Sequence, residues 1–169
     1  MVVEGLQNIT KEQIMDKTTV MKMLDKKGVK YNAYTYGNGE AMSGVDVAKL
    51  LGQDENQVFK TLVTTSKSGK NYVFVIPSPC ELDLKKAAKA VGEKNVEMLK
   101  SKDLLPLTGY VHGGCSPIGM KKFFTTTIDK SAENFDTIIF SAGKIGYQVE
   151  MSLADLAKMI RFTTNDLTV

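Results

Sequence analysis

The sequence predicts an α/β fold, a single compact domain in which helices surround a mixed, largely antiparallel sheet. Three observations carry that expectation. Stretches rich in β-branched and aromatic residues come as hairpin pairs, Gln57–Thr65 with Tyr72–Ile76 and Thr137–Ser141 with Tyr147–Met151. Helical patterns closed by glycine lie between strand segments, ending at Gly28, Gly52 and Gly92. The 169 residues suffice for one hydrophobic core, and no linker divides them.

Residues 1–17 read as a polar N-terminal extension with a possible short helix and no chemistry of their own. From Thr18, the spacing of Val20, Met21 and Leu24 puts three apolar groups on one helical face. Tyr31–Tyr36 alternates as a short strand ending at Gly37. Ser43 can cap a second helix through Leu51, and Asp83 a third through Val91, in which alanines allow close packing. Val96–Leu99 is a short strand candidate, and Lys102–Leu105 a helical turn stopping before Pro106. Phe123–Ile128 is a further strand. Ser152 and Asp155 have the spacing of a capping box, and Leu153, Leu156, Ala157 and Ile160 continue as a closing amphipathic helix. The domain proper is thus expected over 18–162, with a polar tail, 163–169, that frays.

Hydrophobic residues make up 43% and charged residues 24% of the chain, the balance of a soluble globular protein rather than a disordered or fibrous one. No apolar run approaches the length of a bilayer span, and Met1–Lys11 lacks a signal pattern, so the expected location is cytoplasmic, away from membranes. Two cysteines without C-x-x-C spacing and one histidine favour free thiols and no protein-held metal. The net charge of +3 is weak evidence for nucleic acid unless lysines cluster. They do so at Lys85/Lys86, Lys100/Lys102 and Lys121/Lys122; each pair is either a solvated face or a source of phosphate contacts.

Two features bear on chemistry. The first is Thr108–Lys122, which concentrates Gly113, Gly114, Gly119, Pro117, a thiol, hydroxyls and the lone imidazole. Such a segment is either a tight surface connection or a loop that presents backbone N–H groups to a ligand oxygen. The second is Lys60. With a side-chain period of two it shares a strand face with Val58 and Leu62, opposite Phe59, Thr61 and Val63, so that face either meets water or the ammonium meets an anion. No G-K-[ST] or G-x-G-x-x-G nucleotide motif is present.

Two generic mechanisms fit these residues. In one, Cys115 attacks a carbonyl with His112 as base, a pairing that is chemically sensible but whose geometry the intervening glycines leave undetermined. In the other, backbone donors of the glycine loop face an oxyanion, Lys60 faces a carboxylate or phosphate, and Ser116 or Ser141 supplies a directional hydroxyl. The second mechanism requires no protein nucleophile. It suits ester hydrolysis or attack from within the substrate.

The chain resembles the YbaK/EbsC family of aminoacyl-tRNA deacylases, relatives of the editing domain inserted in bacterial prolyl-tRNA synthetases. The likeness is carried, in order, by Val58-Phe-Lys-Thr-Leu62, Leu82–Ala88, Val96–Met98, Thr108–Lys122, Ser141-Ala-Gly143 and Ser152–Ile160, spanning roughly residues 18 to 162. It implies a freestanding editing enzyme that removes cysteine from mischarged Cys-tRNA(Pro), with another misacylated tRNA such as Ala-tRNA(Pro), or non-catalytic binding of a nucleotide or aminoacyl end, as alternatives. The family lysine matches Lys60, its Gly-x-x-x-Pro loop Gly113–Pro117, its strand-end tyrosine Tyr36, and its Ser-x-Gly bend Ser141–Gly143. The resemblance thereby implies Lys60, Gly113 and Gly114 as catalytic positions and Tyr36, Cys115, Ser116, Pro117, Ser141 and Gly143 as substrate-binding ones, with no metal or cofactor. It further implies attack by the substrate's own sulfur, which demotes Cys115 as nucleophile and His112 as base. The partners it implies are the acceptor end of a mischarged tRNA, with Lys85, Lys86, Lys121 and Lys122 as candidates for phosphate contacts, and prolyl-tRNA synthetase.

Overall fold

The computed structural model describes Ile14 and residues 16–169. The expected extension over 1–17 therefore falls largely outside the described residues; Ile14 is buried in the main core. The elements run α1 (Thr19–Lys27), β1 (Asn32–Thr35), α2 (Gly44–Leu51), β2 (Phe59–Ser66), β3 (Asn71–Pro77), α3 (Leu84–Val91), β4 (Val96–Met98), α4 (Ser101–Thr108), β5 (Thr125–Asp129), β6 (Ile138–Ser141), β7 (Tyr147–Met151), α5 (Leu153–Leu156) and β8 (Thr163–Asn165), with a 3-10 turn at Lys130–Asn134.

The strands form two sheets, β1-β7-β6 and β4-β2-β3-β5-β8. Four pairings are antiparallel, while β5 lies parallel to both β3 and β8. The expected mixed, largely antiparallel arrangement holds, but it is divided. The sheets touch where Ile139 donates to the Gln57 carbonyl (3.0 Å) and Val58 bridges Ile139. A seam thus opens at the start of β2, between it and the ends of β6 and β7.

Strand β3 is buried on both sides, which accounts for its unbroken apolar run. Val73 and Val75 face the main core with Phe59, Val63 and Phe140; Tyr72, Phe74 and Ile76 face α3, where Ala87 and Ala88 allow close approach. The capping predictions correspond to made bonds: Ser43 Oγ accepts from Asp46 N (3.1 Å), Asp83 from Lys85 and Lys86 N, and Ser152 Oγ from Asp155 N.

Three expectations are corrected. Helix α4 does not stop before Pro106 but runs to Thr108, because its end is tied down: from outside, Lys121 N donates to the Thr108 carbonyl (3.0 Å), and within the helix Thr108 Oγ1 donates to that of Leu104 (2.7 Å). The closing helix is a single turn rather than a run to Ile160. It tightens through bonds from Lys158 N and Met159 N to carbonyls three residues back, turning the chain toward the sheet. The tail does not fray: Thr163–Asn165 pairs with β5, Leu167 is fully buried, and Leu167 N donates to buried Asp129 (3.0 Å). An edge strand waiting for a partner outweighs the tail's polar composition.

Candidate functional site

A cavity of about 340 Å³ lies at the seam between the sheets. Its floor is β2, from Phe59 to Leu62. Strand β4 pairs only with Thr64–Ser66 and β6 meets β2 only at its start, so the stretch between them is an edge. Leu99 N takes the Val63 carbonyl (3.0 Å), and the alternation of an antiparallel ladder turns the main-chain groups of Thr61 to the same side, between that bond and the bridge of Val58 to Ile139. An open edge explains how residues from both faces of one strand line a single cavity.

Lys60, half-buried, lines this floor. Among the described residues it has neither a salt-bridge nor a hydrogen-bond partner, and no carboxylate lines the cavity. The Thr61 hydroxyl oxygen is buried without a partner. Gln148, only 4% exposed, brings its side-chain amide from β7: the oxygen accepts from Gln53 Nε2 (2.9 Å), and the nitrogen makes no bond within the described protein. Buried polar groups are otherwise satisfied as a rule, so an unpaired ammonium, hydroxyl and amide around one space mark it as built for a polar ligand.

The opposite wall comes from α2 and the glycine loop. Gly44, the first residue of α2, is held so close to the β3 turn that a Cβ there would lie 2.1 Å from Ser78 Oγ. Ser78 in turn fixes the turn by donating both its N–H (2.7 Å) and its hydroxyl (2.6 Å) to the Val58 carbonyl. Gly113 has φ +88, and a Cβ would approach that of Ala41 at 3.1 Å. Gly114 N is used by the Val111 carbonyl (3.0 Å), whereas the amides of Gly113 and Cys115 donate to no acceptor among the described residues.

The structure brings together Lys60, Tyr36, Gly113, Cys115 and Ser141 of the expected site. Gly114, Ser116, Pro117 and Gly143 stand behind the lining. Ser116 and Pro117 are buried, and Ser116 Oγ accepts from Ile118 N (3.3 Å). A Cβ at Gly114 would press on Ile145 N (3.1 Å), and one at Gly143 on Tyr110 (2.9 Å) and Val20 (3.0 Å). These positions fix the loop against α1 and the β6–β7 turn. Sequence reasoning missed Ser43, Gly44, Ser78, Thr61 and Gln148. Only Ser78, set between two prolines, carried a local signal; the others reach the cavity through strand and helix packing.

Burial pushes the Cys115 thiol up to about 12, so it is protonated at neutral pH. His112 is exposed at the rim and makes no hydrogen bond with it among the described residues. A buried, protonated thiol without a base is a poor nucleophile. Burial also raises the Tyr36 hydroxyl, against a smaller opposing effect of the Gly146 backbone, leaving it a donor. Among the described residues no group of three or more His, Cys, Asp or Glu could hold a metal ion, and no helix is long and apolar enough to cross a membrane.

Fold and cavity define a small α/β domain that surrounds a ligand with donors and one cation and offers no activated protein nucleophile. The chain belongs to the aminoacyl-tRNA editing domain family, whose model matches residues 39–159. It is 46% identical over 145 residues to an Enterococcus faecalis protein, EbsC, whose name proposes a Cys-tRNA(Pro)/Cys-tRNA(Cys) deacylase; the match covers 85% of this chain and 88% of that one. Two solved structures share the fold. One is a crystal structure of a proposed trans-editing enzyme for prolyl-tRNA synthetase, with a TM-score of 0.78, 20% identity, and 89% of this chain and 94% of that one covered. The other is the hypothetical protein APE2540, with a TM-score of 0.81, 20% identity, and coverage of 90% and 100%.

Proposed function

We propose that this protein is a trans-editing aminoacyl-tRNA deacylase that releases cysteine from mischarged Cys-tRNA(Pro) by attack of the substrate's own thiol. The observation that carries the reading is the cavity's chemistry: an unpaired lysine, open amides at Gly113 and Cys115, and a protein thiol held protonated by burial. The 46% identity to EbsC supports the same activity.

In this reading the ester carbonyl lies against the Gly113 and Cys115 amides, which stabilise the oxygen as it gains charge; each such donor contributes on the order of 3 kcal/mol in comparable sites. The substrate sulfur attacks that carbonyl, forming a carbon–sulfur bond while the carbon–oxygen bond to the terminal ribose breaks. The thiol proton passes to the departing ribose hydroxyl. A thiolactone and uncharged tRNA leave, and the thiolactone opens in water. Lys60 lowers the cost of negative charge on sulfur and oxyanion or holds the neighbouring phosphate. Tyr36 and Ser141 direct the ribose and ester through their hydroxyls. Prolyl-tRNA synthetase, as a partner, would supply selection of tRNA(Pro).

The test is deacylation by the purified chain of Cys-tRNA(Pro) and, in parallel, Ala-tRNA(Pro). The expected result is release of cysteine with thiolactone as first product and no release of alanine, which has no sulfur. Loss of cysteine at only the uncatalysed rate would sink the reading; equal turnover of alanine would sink the mechanism.

A further inference from the structure

The chain's formal charge of +3 is not spread evenly. Residues 100–124 hold four lysines and one aspartate, Asp103, so this segment carries the whole of the excess and the remainder balances. It is the same segment, α4 and the glycine loop, that borders the cavity through Leu104, His112 and Gly113.

Beyond the cavity the segment exposes apolar surface that a core would ordinarily take up: Leu105 is 52%, Val111 45% and Phe123 53% exposed. Phe123 is also paired. The guanidinium of Arg161, the chain's one arginine, lies 5.3 Å from its ring centroid. Next to it, Lys122 stands over the Phe124 ring at 5.5 Å, and Lys121 reaches the Pro106 carbonyl (3.3 Å). In the sheet register Thr125 pairs with Tyr72 and Lys60 with Ile76, four residues further along β3. With two more residues back to Phe123, the separation from Lys60 is on the order of 20 Å.

A flat exposed ring, a guanidinium in cation–π contact with it and flanking ammonium groups form the combination that receives unpaired bases and their phosphates. We propose that Phe123 and Arg161 form a stacking platform for the unpaired nucleotides of a tRNA 3′ end, with Lys121 and Lys122 on the phosphates, while the esterified terminal nucleotide enters the cavity. The inference rests on the deacylase reading for its substrate and adds where the strand runs.

Binding, rather than turnover, tests it. Uncharged tRNA, an RNA hexamer ending in CCA, and a blunt RNA duplex are titrated against the full chain and its Phe123→Ala, Phe123→Tyr and Arg161→Ala variants, with melting curves as the folding control. Phe123→Ala should weaken tRNA and hexamer binding about tenfold, with Phe123→Tyr restoring it. Arg161→Ala should weaken both, and duplex binding should not move. Wild-type affinity in folded Phe123→Ala and Arg161→Ala overturns the platform, as does an equal loss on the duplex. A defect that appears only in complexes with prolyl-tRNA synthetase makes the patch a protein interface and likewise overturns it. Because no readout requires ester cleavage, failure of the deacylation assay leaves this result standing on its own.

Discussion

The two walls of the cavity solve opposite problems. The β2 wall keeps polar side chains unmet: the Thr61 hydroxyl and the Lys60 ammonium have no partner within the described protein. The glycine-loop wall is tightly fixed, with Gly114, Gly119 and Gly143 pressed against Ile145, Tyr110 and Val20, and only the Gly113 and Cys115 amides left open. Unsatisfied groups cost stability when buried and act on a ligand; satisfied ones do the reverse. In the proposed function the first wall is thus mainly for recognition and the second, apart from its two open amides, for holding shape, and substitutions on each should separate activity from stability.

The largest expected effect is on the recognising wall. Lys60→Ala should lower kcat/KM for Cys-tRNA(Pro) deacylation by about 10²–10³-fold, the loss seen when one preorganised charge-stabilising group is removed. Its melting temperature should stay near wild type, since the lysine has no ion-pair partner among the described residues; a collapse in stability instead would make Lys60 structural. On the holding wall, Gly143→Ala must adopt φ +90 and push into Tyr110, and should cost about 2–4 kcal/mol, read as a lower melting temperature. Gly113→Ala shares the strained φ but meets only Ala41 at 3.1 Å, so about 1–2 kcal/mol is expected, with a larger fall in activity than in stability.

Two smaller effects sharpen the division. Thr61→Val replaces an unpaired buried hydroxyl by a methyl and should leave the fold unchanged or up to about 1 kcal/mol more stable, while slowing deacylation. Destabilisation by that variant would show that the hydroxyl is bonded in solution. The Cys115 thiol is raised from 9.0 to about 12 by burial, so the folded state keeps a proton that the unfolded state releases first. Its contribution is fully present below pH 9 and is lost as pH rises toward 12, at no more than about 1.4 kcal/mol per pH unit. Cys115→Ala should flatten that alkaline decline in denaturant titrations and still turn over Cys-tRNA(Pro) at neutral pH. Loss of turnover would restore the thiol as nucleophile.

Much of the fold was legible in local chemistry. Ser43, Asp83 and Ser152 cap helices because a short polar side chain before an apolar pattern has one economical use, and Gly28, Gly52 and Gly92 close α1, α2 and α3 in the left-handed conformation. The tail was not legible. Thr163–Val169 contains too few apolar residues to announce a strand, and Leu167 gains its burial only because β5 leaves an edge and Asp129 an acceptor for it. Pro106 misled for a similar reason: proline weakens a helix locally, but bonds from Lys121 and Thr108 hold this helix end in place.

The site divides in the same way. By itself the sequence determined that a glycine loop and an isolated strand lysine were the places to look, since glycine and a charge among β-branched residues are anomalies that need no partner to be noticed. Tertiary structure alone decided which of those residues reach the cavity, and it added Thr61, Gly44 and Gln148, ordinary residues in sequence, and Ser78, marked there only by its two flanking prolines. Whether a polar group is satisfied depends on what stands opposite it, and in this fold the opposite group comes from another strand or the second sheet.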